Sequence, residues 1–282
     1  MYKKMFLIKK TKFIIITLLL IFSEVEAHGN LSVRISEKTI EISKNPKNAI
    51  LYFERGFLYQ QHSEYKKAIK DYKISEHLGL KNKLLYFRIS ETYYKANKLK
   101  KALNSSEVCF KYDTLDIKTY KLKGQILLKL RKYNEAIIAY KYVIENNIDL
   151  RPEDYIAYSD IILAIDNNNY RSAIAALDLG LKKSKNNAIT FQLKKLEYLK
   201  KSHQIEKVIE QYNTIIQYNN RKEFWYYKKA KYLLEIGDYE NSNISLQQAK
   251  LAIKELKLKY QNTGSIKKLQ TNINSLEIKL RL

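Results

Sequence analysis

The chain has 282 residues, 52 of them Lys or Arg against 29 Asp or Glu, for a formal net charge of +23, and it carries 24 tyrosines. A single cysteine excludes an internal disulfide, so stability must come from buried apolar surface, for which this length is ample. No glycine-rich phosphate loop, Gly-x-Ser-x-Gly elbow or paired Cys or His motif with metal spacing occurs, so neither an enzyme nor a cofactor is expected.

At the start of the chain Lys3, Lys4, Lys9, Lys10 and Lys12 precede the apolar run Phe13 to Phe22, with Val25 and Ala27 at the −3 and −1 positions of a cleavage site. This pattern predicts a secretory signal peptide over residues 1–27 and a secreted or periplasmic mature chain beginning at His28. The apolar run of 10 residues falls well short of the roughly 20 needed to span a bilayer, which favours cleavage over an uncleaved anchor. The free α-amine and imidazole of His28 would offer two nitrogens to a copper ion. No second histidine lies nearby in sequence, so an incidental first residue is the simpler reading.

Residues 28–48 are expected to hold an N-terminal capping helix, over 31–45, closed by Pro46. From Ala49 a period sets in. Gly56, Ser90 and Gly124 are separated by 34 and 34 residues, and the same intervals separate Ala68, Ala102 and Ala136, and Tyr65, Leu99 and Tyr133. In the first unit Tyr52, Gly56 and Tyr59 share one helix face, and after a turn at His62-Ser63 the run Tyr65, Ala68, Tyr72, Ser75 steps by three and four. Two antiparallel helices with complementary small and large stripes are predicted. With its 34-residue period, this unit closely resembles the tetratricopeptide repeat family: Tyr52, Gly56, Tyr59, Ala68, Tyr72 and Ser75 stand where that motif has its signature large and small residues. The resemblance implies an all-α, right-handed α-solenoid of about six helix pairs, capped by a helix at each end, that binds peptides in a groove lined by the first helix of each pair.

The register continues through Tyr86, Ser90, Tyr93, Ala102 and Cys109, then Tyr120, Gly124, Leu127, Ala136 and Tyr140, so repeats one to three cover residues 49–153. Cys109 falls in a small column and reads as a buried apolar residue. Repeats four to six are assigned to 154–254. The fourth, opened by Pro152 at a helix first turn, keeps Tyr170, Ala173 and Gly180 but carries Ile161 in a small column. The fifth has Leu196, Val208 and Ile215 in those columns, and such bulk should push helices apart and disturb the regular superhelix over 154–220. The sixth returns to form with Tyr226, Ala230, Gly237-Asp238-Tyr239, Ser242 and Ala249. Its second helix is expected to extend to Tyr260, and residues 255–282 to form the C-terminal cap, with a last helix from Ser265 to Leu282 introduced by Gly264.

If the groove is built as in the resembled family, its lining follows from the register: Phe53 and Phe57, then Phe87, Arg88, Glu91 and Tyr94, then Lys118, Lys121 and Gln125, then Tyr155 and Tyr158, Lys194 and Glu197, and Tyr227, Lys228 and Lys231. Such a surface would be aromatic and basic, suited to an extended acidic peptide or partner protein. The equally simple alternative is that the rings pack between helices and the lysines are solvated. Some family members grip a C-terminal carboxylate with a Lys/Asn/Asn/Lys/Arg clamp, but here Phe53, Phe57 and Arg88 occupy clamp positions and only Lys118 matches. The high content of Lys, Asn, Ile and Tyr also fits A/T-rich coding, a compositional source of the charge. Two further readings keep the fold: an accessory protein that binds metal through His28, and one that binds an anionic envelope polymer through its basic surface. Nucleic acid is not an expected partner, because no base-reading motif is present.

Overall fold

In a computed structural model the chain is described over residues 30–146, 151–183 and 189–280. The leader, its cleavage site and His28 lie outside these residues. Among the described residues every regular element is helical and no strand occurs. A first helix, α1 (30–44), precedes six helix pairs: α2 (Ala49–Gln61) with α3 (Tyr65–His77), α4 (Lys83–Lys95) with α5 (Leu99–Phe110), α6 (Ile117–Lys129) with α7 (Tyr133–Asn146), α8 (Pro152–Ile165) with α9 (Tyr170–Lys183), α10 (Ile189–Lys201) with α11 (Ile205–Tyr218), and α12 (Lys222–Glu235) with α13 (Tyr239–Lys254). Two closing helices follow, α14 (Leu258–Gln261) and α15 (Gly264–Leu280). No helix among the described residues is long and apolar enough to cross a membrane. The chain divides into two compact units, one ending after α7 and the other beginning before α8.

The small columns do what their spacing predicts. A Cβ built on Gly56 would stand 2.8 Å from the Tyr72 ring, and one on Gly124 would stand 2.9 Å from the ring of Tyr140. Each missing side chain is the space that an aromatic ring of the second helix fills. Ala68, Ala102 and Ala136 are wholly buried at the reciprocal position, where a larger side chain would separate the helices. Where serine takes the place of glycine or alanine, it also bonds across the pair: Ser90 Oγ donates to the Ala102 carbonyl and Ser242 Oγ to that of Ala230, both at 2.8 Å. Cys109 is buried as expected, and burial pushes its thiol up to about 11.

A second periodic device was not foreseen. Ser63, Asn97, Arg131, His203 and Gly237 all have φ between 55° and 82° and occupy the same place in the turn inside their pairs. In each case the next residue's N–H reaches back to the helix above, as in Lys132 N to the Leu127 carbonyl at 2.9 Å and Asp238 N to the Leu233 carbonyl at 2.9 Å. This is a Schellman closure, and four of its five left-handed residues are not glycine. The α8–α9 connection differs. Asp166 is extended there, and its side chain accepts from Asn168 N at 3.1 Å in an Asx turn.

In the second unit the bulky column residues Ile161, Leu196, Val208 and Ile215 are buried, and α10 and α11 make fewer close backbone approaches than α2 and α3. Pro152 begins α8 as predicted, and Arg151 N donates to Asp154 Oδ2 at 3.1 Å. Helix α13 ends at Lys254 rather than continuing to Tyr260. Gln261 Nε2 bonds the Lys254 and Leu256 carbonyls at 2.9 and 2.7 Å, which satisfies the end of α13 and separates the short α14 from it. Ile266, Leu269, Ile273 and Leu276 of α15 then cover Leu246, Ala249 and Ile253 of α13, sealing the last pair as a terminal cap must.

Two outcomes test this account. Gly56→Val should destabilise the protein by about 1–3 kcal/mol in urea unfolding, because the buried Tyr72 ring cannot retreat. Arg131→Gly should instead stabilise it by about 0.5–1 kcal/mol, since relief of a left-handed side-chain residue exceeds the added chain entropy of glycine.

Candidate functional site

The first helices of unit one, α2, α4 and α6, lie side by side, with α4 touching both neighbours. On α2 and α4 the structure brings four expected residues together. The Arg88 guanidinium stands 4.4 Å above the Phe57 ring and 6.0 Å from that of Phe87, while Phe53 tilts against the core ring of Tyr72 at 5.7 Å. Phe53, Phe57 and Phe87 are all half-buried, so each is held in the fold while part of it stays accessible. Tyr94, also half-buried, carries Lys129 Nζ at 4.2 Å over its ring.

Arg88 is held in place by a polar chain. Its Nη1 donates to Glu91 Oε2 at 2.8 Å, Gln60 Nε2 donates to the same oxygen at 2.7 Å, and Tyr72 OH donates to Gln60 Oε1 at 2.8 Å. The chain runs from the buried core to the surface, fixing the guanidinium as a rigid shelf between two rings. Burial alone would raise the Glu91 carboxyl, but the hydrogen bonds from Gln60 and Arg88 outweigh it and hold the group below its usual range. The surface is thus less basic here than the sequence suggests, because the charge of Arg88 is compensated. Further along, Lys118 is exposed in the first turn of α6, and Lys121 is half-buried one turn on.

Beside Phe53 and Phe57 a cleft of about 410 Å³ opens against α1, lined also by Arg34, Glu37, Lys38, Glu41 and Glu54. Its charges are mixed, and Lys38 pairs with Glu41 at 2.7 Å and Glu54 at 2.8 Å. The contribution of α1 to this surface was not legible in the repeat register, because α1 lies outside it.

The unit-two candidates depart further from expectation. Tyr155 is not available to a ligand. It is 2% exposed, its ring meets Phe191 edge-on at 5.8 Å, and it fills the space beside Gly180, where a Cβ would come within 2.9 Å of it. The structural reason is that Gly180 leaves a hole that the rings of Phe191 and Tyr155 fill together. Lys194 is half-buried between Asp160 at 3.0 Å and Glu197 at 3.2 Å, so its charge is spent within the fold. Tyr158 is half-buried, and Tyr227 packs against the cluster under the terminal cap. Lys228 is exposed, with Nζ 4.1 Å over the Trp225 ring. No group of three or more His, Cys, Asp or Glu that could hold a metal occurs among the described residues.

No family model matches the chain, and no curated protein matches it. Among solved structures it is similar to the C-terminal part of a repeat-containing protein from Cytophaga hutchinsonii, a tetratricopeptide-repeat protein, with TM-score 0.65 at 15% identity over 83% of this chain and 97% of that one. It is also similar to a tetratricopeptide repeat protein from Parabacteroides merdae, with TM-score 0.55 at 14% identity over 89% and 94% of the two chains. A third likeness is to PilF of Pseudomonas aeruginosa, with TM-score 0.51 at 14% identity over 80% and 98%. At these identities the likeness establishes the fold, and the helix pairs are those of the tetratricopeptide-repeat solenoid.

A carboxylate whose pKa is lower in the folded than in the unfolded state adds stability above the unfolded value and loses it as pH falls through the lowered one. The thermal midpoint of Glu91→Gln should therefore lie below that of the native chain at pH 7, and the gap should close on acidification below the ordinary value of 4.5. A gap of constant size down to pH 3 would show that the Glu91 charge adds nothing.

Proposed function

We propose that this tetratricopeptide-repeat chain is a non-catalytic interaction scaffold that binds an extended segment of a partner protein across α2, α4 and α6. The observation that carries this reading is the Phe57–Arg88–Phe87 arrangement, in which two half-open rings flank a guanidinium already fixed by Glu91 and Gln60. Preformed aromatic shelves of this kind bind side chains with little ordering cost. The mixed charge beside Phe53 and Phe57 and the exposed Lys118 on α6 give the bound segment a polarity: an apolar side chain toward α2 and carboxylates toward α6. The basic leader and the Val25-x-Ala27 site support export, so the partner is an extracytoplasmic protein.

Affinity capture from envelope extract, with the chain beginning at His28 and a Phe57/Phe87/Tyr94 triple alanine variant in parallel, tests the proposal. One partner that survives a high-salt wash and binds the variant at least about tenfold more weakly is the expected result. Recovery of only salt-labile anionic material, equal for both chains, would overturn it.

A further inference from the structure

A different surface of unit one has the chemistry of a second, separate binding site. Where the α2–α3 turn lies beside the α4–α5 turn, a cleft of about 970 Å³ opens, with a mostly apolar wall that includes Tyr65, Ile69 and Tyr93. Six lysines border it: Lys66, Lys67, Lys73, Lys95, Lys98 and Lys101. Glu64 is the one acid in its lining, and Lys67 and His62 already engage that carboxylate. Lys95 has Glu91 at 3.6 Å, whereas Lys66, Lys73, Lys98 and Lys101 have no carboxylate partner among the described residues.

Four of these lysines, Lys66, Lys67, Lys98 and Lys101, sit where a helix least favours them. Lys66 and Lys67 occupy the first turn of α3, and Lys98 to Lys101 surround the start of α5, where the helix dipole is positive. Neither helix has a side-chain cap or a first-turn acid. Of the other second helices, α7, α11 and α13 each carry a glutamate there, and α9, which has no first-turn acid, is capped by Asn169 Oδ1 accepting from Ser172 N at 3.3 Å. General lysine enrichment does not explain a break in the local rule at two adjacent turns that face one apolar cleft, and such breaks concentrate at functional sites.

We infer that this cleft docks an acidic segment of a partner protein that inserts an apolar side chain between Tyr65, Ile69 and Tyr93 while its carboxylates meet the lysine rim. The volume suits a few residues of peptide, and the charge imbalance of the rim selects the acidic class. The site does not depend on the first-helix face and stands whether or not that face binds a ligand.

The test is fluorescence anisotropy with the chain from His28 and a labelled hexapeptide bearing an acidic pair on each side of Leu-Phe. In the Lys66→Glu, Lys98→Glu, Lys101→Glu variant, affinity should fall at least tenfold while the thermal midpoint holds or rises by about 1–3 °C, because carboxylates suit those helix starts. Lys257→Glu, Lys267→Glu, Lys268→Glu, which removes the same charge from unit two, should change affinity less than twofold. The Phe57/Phe87/Tyr94 triple alanine variant should leave it unchanged, which separates failure of this site from failure of the first-helix face. Equal losses in the two lysine variants, loss only in the aromatic variant, or no binding below about 1 mM would overturn the inference. So would equal affinity for an all-acidic hexapeptide, or tighter cleft-dependent binding to phosphatidylglycerol vesicles, which would assign the cleft to lipid.

Discussion

Everything in this fold rests on the distance of closest approach within a helix pair. The ring of Tyr72 lies against bare backbone at Gly56, and that of Tyr140 against Gly124, so the two helices meet at a point where only one of them has a side chain. This contact sets how the first helix is presented, and the first helices in turn carry the half-open rings of Phe57 and Phe87. A solenoid buries its surface only between neighbours, so an error in one pair spreads to the surface it displays. In the second unit, where Ile161, Leu196, Val208 and Ile215 replace small residues, fewer close approaches remain between α10 and α11. Polar contacts join successive first helices there: Tyr198 OH of α10 donates to Asp160 of α8 at 2.5 Å and lies 3.2 Å from Ser159 Oγ.

Most of the architecture was legible because the packing rule repeats. A small residue is needed at the same height in each of the first three pairs, so Gly56, Ser90 and Gly124 reveal the period without knowledge of what they touch. The turns were less legible for a physical reason. A left-handed residue is conspicuous when it is Gly237, but the same closure is made by main-chain bonds at Ser63, Asn97, Arg131 and His203, which have no common side-chain chemistry.

The candidate site was legible in part. A ring at an outward register position reads alike whether it faces solvent or a gap in the next helix. Tyr155 resolves to the second case only because Gly180, on the other helix of its pair, leaves a space to be filled. The pairing of Arg88 with Glu91 spans three residues and is readable, whereas the bond from Gln60 arrives from the neighbouring pair, 31 residues away in sequence. The two clefts escape a register reading for similar reasons: one needs α1, which has no place in the repeat, and the other is made by successive turns rather than by a helix face.

Ser63 and Asn97, two of the left-handed turn residues, also line the lysine-rimmed cleft. Their backbone closes the turn and their side chains are exposed, so the fold asks of those side chains little beyond tolerance of a left-handed φ. Mutational drift at these two positions would alter what the cleft admits while the solenoid beneath stayed intact. Recognition at that edge can therefore diversify independently of stability, with the architecture conserved and its specificity left open to selection.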